Sequence, residues 1–406
     1  MNFNIREIIY ALSDALGYVG MDDMLHGRRV GYMAHQLSQV LGQPELVPGF
    51  MFDLGILHDI GVSSTQSFKQ LVSEFESENE NLHCEVGYQR LLKFKPLADM
   101  ALPVRYHHTH WEVLKTLDLP EAIRAQANLI YLADRVDALT RGHGHQDILS
   151  IAESVRQIIS ERRHRYFRTD FVDAFLTVSC HEAFWLGLDP RNLQRLENRL
   201  LTASTPLMMD MTDLKQLAQI FADVVDAKSS FTAEHSAGVA RLAVYLAESM
   251  ALDPETVQQI EIAGLLHDIG KLRVPDEILD KPGPLSHEER NIMKVHSYET
   301  YMILQQIHGL EHITQWATLH HEEPDASGYP FGHHAMDTPL EARILRVADI
   351  VQALVQDRPY RAGMNEPQLR EVLEDLLAKG KLDSSITQQV LQNLPAAMAV
   401  ARARTA

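Results

Sequence analysis

An all-α fold, built as two tandem helical bundles of similar plan, is what this sequence predicts, and three observations carry the prediction. Apolar residues recur at three- and four-residue spacing, strand-like alternation is scarce, and one ordered set of histidines and aspartates occurs twice. The spacing is explicit in Leu214, Leu217, Ala218, Phe221 and Val225, and again in Val239, Leu242, Ala243 and Leu246; each set lies along one face of a helix. Between the halves, a charged helix ending near Arg199 gives way to Thr202-Ala203-Ser204-Thr205-Pro206, and Thr212 is the expected N-cap of the next helix. The expected division is residues 1–205 and 206–406, two bundles packed as a pseudo-dimer after duplication and fusion.

Composition bounds the function. A chain of 406 residues with 45% hydrophobic content can bury two ordinary cores. Its formal charge of −18 argues against a broad footprint for duplex nucleic acid, so an anionic ligand would need a local basic pocket and metal ions. The two cysteines, Cys84 and Cys180, make no disulfide framework and fit a reducing compartment. No run approaches the length of a membrane span, and Arg6, Glu7 and Asp14 interrupt what would be the apolar part of a signal peptide. The expectation is a cytoplasmic chain without a membrane contact.

The duplicated set is the most informative feature. In the first half it is His26, His58-Asp59, His83, His107-His108 and Asp134; in the second it is His235, His267-Asp268, His296, His320-His321 and Asp349. The step from lone His to His-Asp pair is 32 residues in both copies, and the step from middle His to His pair is 24 in both. The remaining two steps differ by 4 and 2 residues, as loops allow. A single histidine on an amphipathic helix is more often packed or solvent-facing than a ligand. Repetition of a fold preserves apolar periodicity but does not require the same histidines and aspartates to recur in order.

The surroundings of the second copy point to metal chemistry. Ala263-Gly264-Leu265-Leu266 before His267 and Asp268, and Ile269-Gly270 after them, predict a buried helix in which an ionised aspartate and neutral imidazoles need a compensating divalent cation. His267 and Asp268 can address different metals, or the aspartate can bridge two. Lys271, one turn beyond His267, offers an ammonium that meets a phosphate oxygen but does not ligate metal while protonated. Asp349 lies in the mainly apolar Arg343–Val351 helix. After His320-His321, Gly328 allows a tight turn and Pro330 biases Tyr329 toward an extended backbone, holding its ring in a defined place.

With His235-Ser236, His267-Asp268-Ile269-Gly270-Lys271, Val274-Pro275-Asp276, Lys281-Pro282-Gly283, His296, His320-His321-Glu322, Asp325, Gly328-Tyr329-Pro330 and Asp357-Arg358-Pro359-Tyr360-Arg361 in order, the chain from about Thr212 resembles the HD-GYP subgroup of the HD phosphohydrolases. The resemblance implies an all-helical domain with a two- or three-metal centre that hydrolyses a cyclic dinucleotide, cyclic di-GMP or 3′3′-cyclic GMP-AMP, to a linear dinucleotide through a metal-bridging hydroxide. It further implies that His235, His267, Asp268 and Asp349 hold one metal, with Asp268 bridging to a second held by His296, His320 and His321. Lys271, Tyr329, Arg358 and Arg361 would face the substrate, and Asp268 and Lys271 would take part in catalysis. Phe231 occupies the position of the glutamate found in three-metal members, so two divalent ions are expected. Imidazole and carboxylate ligands suit Fe or Mn, with Zn, Ni and Mg also open. Three departures stand out: Glu323 replaces an Arg, Ala326 a Gly and Thr300 a Gly.

The first half keeps the ligand types and loses their surroundings. Val62 stands in place of Lys271, no Gly-Tyr-Pro follows His107-His108, and His143 and Gln146 fall where Arg358 and Arg361 do. Asp22 precedes His26 by four residues, and Glu74, Glu76, Glu78 and Glu80 read as a solvated acidic stretch. The expectation is a degenerate HD domain, open to a second metal site, that acts as a regulatory input or as a packing partner. Alternatives to the main reading are a mononucleotide phosphohydrolase and a non-catalytic cyclic-dinucleotide receptor or scaffold. A homodimer or a signalling-protein partner is compatible with each.

Overall fold

The computed structural model describes residues 2–19, 24–62, 80–141, 148–228, 235–357 and 362–403. Arg358, Arg361, Asp22, Phe231, His143, Gln146 and Glu74 to Glu78 lie outside the described residues. The chain divides into two compact units, Asn4–Leu207 and Met208–Ala406, the second together with Met1–Phe3. Both are helical. Among the described residues strand is confined to Asn2–Phe3 and Leu207–Met208, and no helix is long and apolar enough to cross a membrane.

Five helices recur in the same order in the two units. His26–Leu41, Pro48–Leu57, Glu80–Leu92, Ala101–Tyr106 and Glu121–Thr140 correspond to His235–Ser249, Pro254–Leu266, His287–Leu304, Glu311–Thr318 and Leu340–Val355. The first two pack along one another in each unit, and the fifth packs against the first. Pro48 and Pro254 open the second helix of each set, where the missing N–H goes unused. In the N-terminal unit Phe171, Phe175 and Trp185 are fully buried, and Phe175 and Trp185 meet each other and Phe184 edge-on. Each such side chain contributes roughly 1.5–3 kcal/mol by leaving water.

The start of the C-terminal unit differs from expectation. Helix Met211–Asp226 is capped by Asp210, not Thr212: the Asp210 carboxylate accepts from Asp213 N–H while the Asp213 carboxylate accepts from Asp210 N–H. That reciprocal pair satisfies two end groups at once, which a threonine hydroxyl two residues later does not. The preceding helix, Pro190–Thr202, runs three residues past Arg199.

Candidate metal centres

In the C-terminal unit five helices converge on one ligand set. His235 opens the first and His267-Asp268 follow the last turn of the second. His296 sits within the third, His320-His321 form a 3-10 turn after the fourth, and Asp349 lies on the fifth. The buried helix expected through Gly270 in fact ends at Leu266, and Ile269–Arg273 continue as a 3-10 turn. The cause is close packing. A Cβ on Gly270 would stand 1.9 Å from the His296 carbonyl oxygen, so the chain needs glycine there to pass the third helix. Thr300 secures the crossing: its hydroxyl donates to the His267 carbonyl and accepts from Gly270 N–H, both at 3.1 Å.

The two oxygens of Asp268 face different histidines. Oδ2 is 3.5 Å from His235 Nε2 and 3.2 Å from His267 Nε2, while Oδ1 is 3.6 Å from His296 Nε2. Asp349 Oδ1 lies 3.2 Å from His235 Nε2. Ligand atoms of His235, His267 and Asp268 fall within 4.8 Å of one another, as do those of His296, His320 and His321. Ring orientation is set from behind: Nδ1–H of His267, His296 and His320 donates to the carbonyls of Gly264, Met293 and Ala317 at 2.6–2.7 Å. Because a carbonyl only accepts, each of these imidazoles, when neutral, turns its Nε2 lone pair toward the cluster.

Two of the imidazoles are held neutral, whereas Asp268, against burial, raises His267. Burial, with His267 acting in the same direction, lowers His320 to about 3. Burial also lowers His296 to about 4, against the pull of Asp268. Both are neutral at pH 7. Although burial opposes it, His267 and Lys271 hold the Asp268 carboxyl well below the usual range. His320 Nε2 and Asp268 Oδ1 are buried without a hydrogen-bond partner. Divalent cations fit this donor set, since buried polar atoms of that kind demand compensation.

The substrate-facing candidates divide. Lys271 pairs with Asp268 across one turn, and its side chain is 18% exposed. Tyr329 stacks on His321, ring centroids 4.7 Å apart, and stands 6.2 Å from His296; burial raises its phenol well above the usual range. The loop bearing Tyr329 contains a cis Tyr329-Pro330 bond and is held by Glu322, whose buried carboxylate accepts from the N–H groups of Phe331, Gly332 and His333 at 2.8–3.1 Å. The turn geometry falls on Ala326, with φ +62°, not on Gly328, which is needed because a Cβ there would stand 2.3 Å from Glu323 N. Glu323, replacing the family's arginine, takes Arg346 and Lys381 as partners at 2.7 Å each.

The N-terminal unit gathers its set too. His26 Nε2 is 3.5 Å from Asp59 Oδ2 and 3.4 Å from Asp134 Oδ1, and His83 Nε2 is 3.4 Å from Asp59 Oδ1. His83, His107 and His108 cluster with Cys84. Gly61 repeats the Gly270 crossing, a Cβ there standing 1.8 Å from the His83 oxygen. The differences lie one layer out. Arg135 takes Asp134 Oδ2 at 2.8 Å, and Asp137 receives Nδ1–H of His26 at 2.7 Å while Arg29 clamps its carboxylate. Burial opposes protonation of His26, yet Asp137 and Asp59 raise it to about 9. Sequence reasoning missed Asp137, although its position one turn after Asp134 on an apolar helix was a signal.

Two buried histidine and aspartate clusters, each on the same five-helix scaffold, define a class: tandem HD-domain proteins, whose members are metal-dependent phosphohydrolases. Residues 219–386 and 25–139 each match the HD domain. Over 399 residues the chain is 34% identical to 3′3′-cGAMP-specific phosphodiesterase 1 of Vibrio cholerae serotype O1, covering 97% of this chain and 92% of the relative. Over 174 residues it is 34% identical to the cyclic di-GMP phosphodiesterase response regulator RpfG of Xanthomonas campestris pv. campestris, covering 41% and 46%. A crystal structure of a cyclic GMP-AMP-specific phosphodiesterase of V. cholerae shares the fold, with a TM-score of 0.63 and 24% identity over 99% of this chain and 98% of that one. The chain belongs to the HD-domain cyclic-dinucleotide phosphodiesterases.

Proposed function

We propose that the C-terminal centre is the catalytic site and that it opens 3′3′-cyclic GMP-AMP, with cyclic di-GMP as the alternative substrate, to a linear dinucleotide. The observation that carries this reading is the division of Asp268 between two histidine groups, with Lys271 on the same carboxylate and Tyr329 stacked on His321. The relative aligned along nearly the whole chain acts on 3′3′-cGAMP by its name, which favours that substrate. A cytosolic site of action follows from such a messenger.

In this reading His235, His267, Asp268 and Asp349 would hold one divalent ion and Asp268, His296, His320 and His321 another, with Fe or Mn favoured. When bound, such ions neutralise phosphate charge and bring the pKa of water into the working range. The protein's own part is orientation and charge. Backbone carbonyls fix the imidazoles, Lys271 supplies an ammonium for a non-bridging phosphate oxygen, and Tyr329 supplies a rigid wall and a hydroxyl. Arg358 and Arg361 add guanidinium groups for the second phosphate. The N-terminal set His26, His58, Asp59, His83, His107, His108 and Asp134 would hold a second metal without catalysing and serve as a regulatory input.

Protein loaded anaerobically with Mn or Fe should convert cyclic GMP-AMP or cyclic di-GMP to the linear form on a chromatographic assay. Absence of turnover on every cyclic dinucleotide across the common divalent metals would sink the proposal.

A further inference from the structure

Beside the C-terminal centre lies a cavity of about 480 Å³, within the range of small-molecule sites. Tyr301, Phe331 and His333 give it aromatic walls, and Gln315, Thr314 and Thr318 give it polar ones. Phe331 stacks on His333 with centroids 5.5 Å apart, meets Tyr301 edge-on at 5.9 Å, and remains 46% exposed. Three polar atoms of lining residues, Thr314 Oγ1, Thr318 Oγ1 and His333 Nδ1, are buried without a hydrogen-bond partner. Thr314 and Thr318 are themselves at least nine-tenths buried. Aromatic walls with threonine and glutamine side chains between them suit a flat ligand with polar edges.

Its connection to the metal ligands identifies that ligand. Thr318 lies two residues before His320, and Phe331 lies two residues after Tyr329. Glu322, next to His321, fixes the backbone of Phe331, Gly332 and His333 through three hydrogen bonds. Glu322 therefore ties the aromatic wall to the turn that carries His320 and His321. We infer that this cavity receives one purine base of the substrate, with Phe331 as the stacking and specificity-determining residue. The inference rests on the proposed cyclic-dinucleotide activity.

The test uses the full-length, metal-loaded protein with two variants, Phe331→Leu and Gln315→Ala, and thermal melts to confirm folding. Loss of one base stack is worth about tenfold in binding. Phe331→Leu should raise KM for cyclic GMP-AMP about tenfold with kcat within about twofold, and weaken GMP or AMP binding by a similar factor. Ribose 5-phosphate, which has no base, should bind with an affinity shifted less than about twofold. Gln315→Ala should change the ratio of GMP to AMP affinity. Equal losses for GMP and ribose 5-phosphate, or no change in any affinity, would overturn the inference. If the wild type turns over no cyclic dinucleotide yet binds GMP through Phe331, the purine site stands and the substrate reading fails.

Discussion

Lys271 and Asp268 show how one residue separates the two halves. Val62, the counterpart of Lys271, is buried and apolar, so the N-terminal carboxylate Asp59 has no ammonium partner one turn away. Lys271→Ala should therefore lower kcat/KM by roughly 100-fold, the usual scale for one charge aimed at a reacting phosphate or oxyanion, while metal content by mass spectrometry stays unchanged. A second residue speaks to stability alone. Ala326 holds φ +62° in a half-buried loop, a conformation that costs an L-residue roughly 1–2 kcal/mol. Ala326→Gly should relieve part of this strain, and thermal melts should rise by a few degrees, offset partly by glycine's greater unfolded-state freedom. The family's usual glycine at this position was visible in the sequence; its reason is the backbone angle.

At the scale of elements, helix order and ligand order were legible because both are written in periodicity and spacing. The break after Leu266 was not, since it arises from the approach of Gly270 to His296, a contact between residues far apart in sequence. Asp137 escaped for a similar reason: its role appears only when His26 is brought to the fifth helix. The Tyr329 loop was anticipated, but its anchor on Glu322 was not, because the three amides it binds are nine to eleven residues downstream. Two substitutions test these joints. Gly270→Ala forces a Cβ against backbone and should destabilise the C-terminal unit by about 2 kcal/mol or more in denaturant titration. Glu322→Gln replaces one charged acceptor oxygen by a donor facing amides. It should cost roughly 1.5–3 kcal/mol of stability and raise KM, read from melts and steady-state kinetics.

Across the whole molecule, the chain is strongly acidic overall, yet the proposed substrate is anionic. In the proposed reading that conflict is met locally, by metal ions and Lys271 in the C-terminal unit. The duplicated ligand set reports a shared fold, while the residues around it differ: Arg135 and Asp137 brace the N-terminal set, and Lys271 and Tyr329 flank the C-terminal one. The most direct test compares His267→Ala with His58→Ala, measuring metal content and cyclic-dinucleotide turnover on the same preparations. The account predicts that His267→Ala loses bound metal and essentially all turnover, whereas His58→Ala loses N-terminal metal and keeps turnover within about tenfold of wild type. Full activity in His267→Ala, or its abolition in a folded His58→Ala that still binds C-terminal metal, would contradict it.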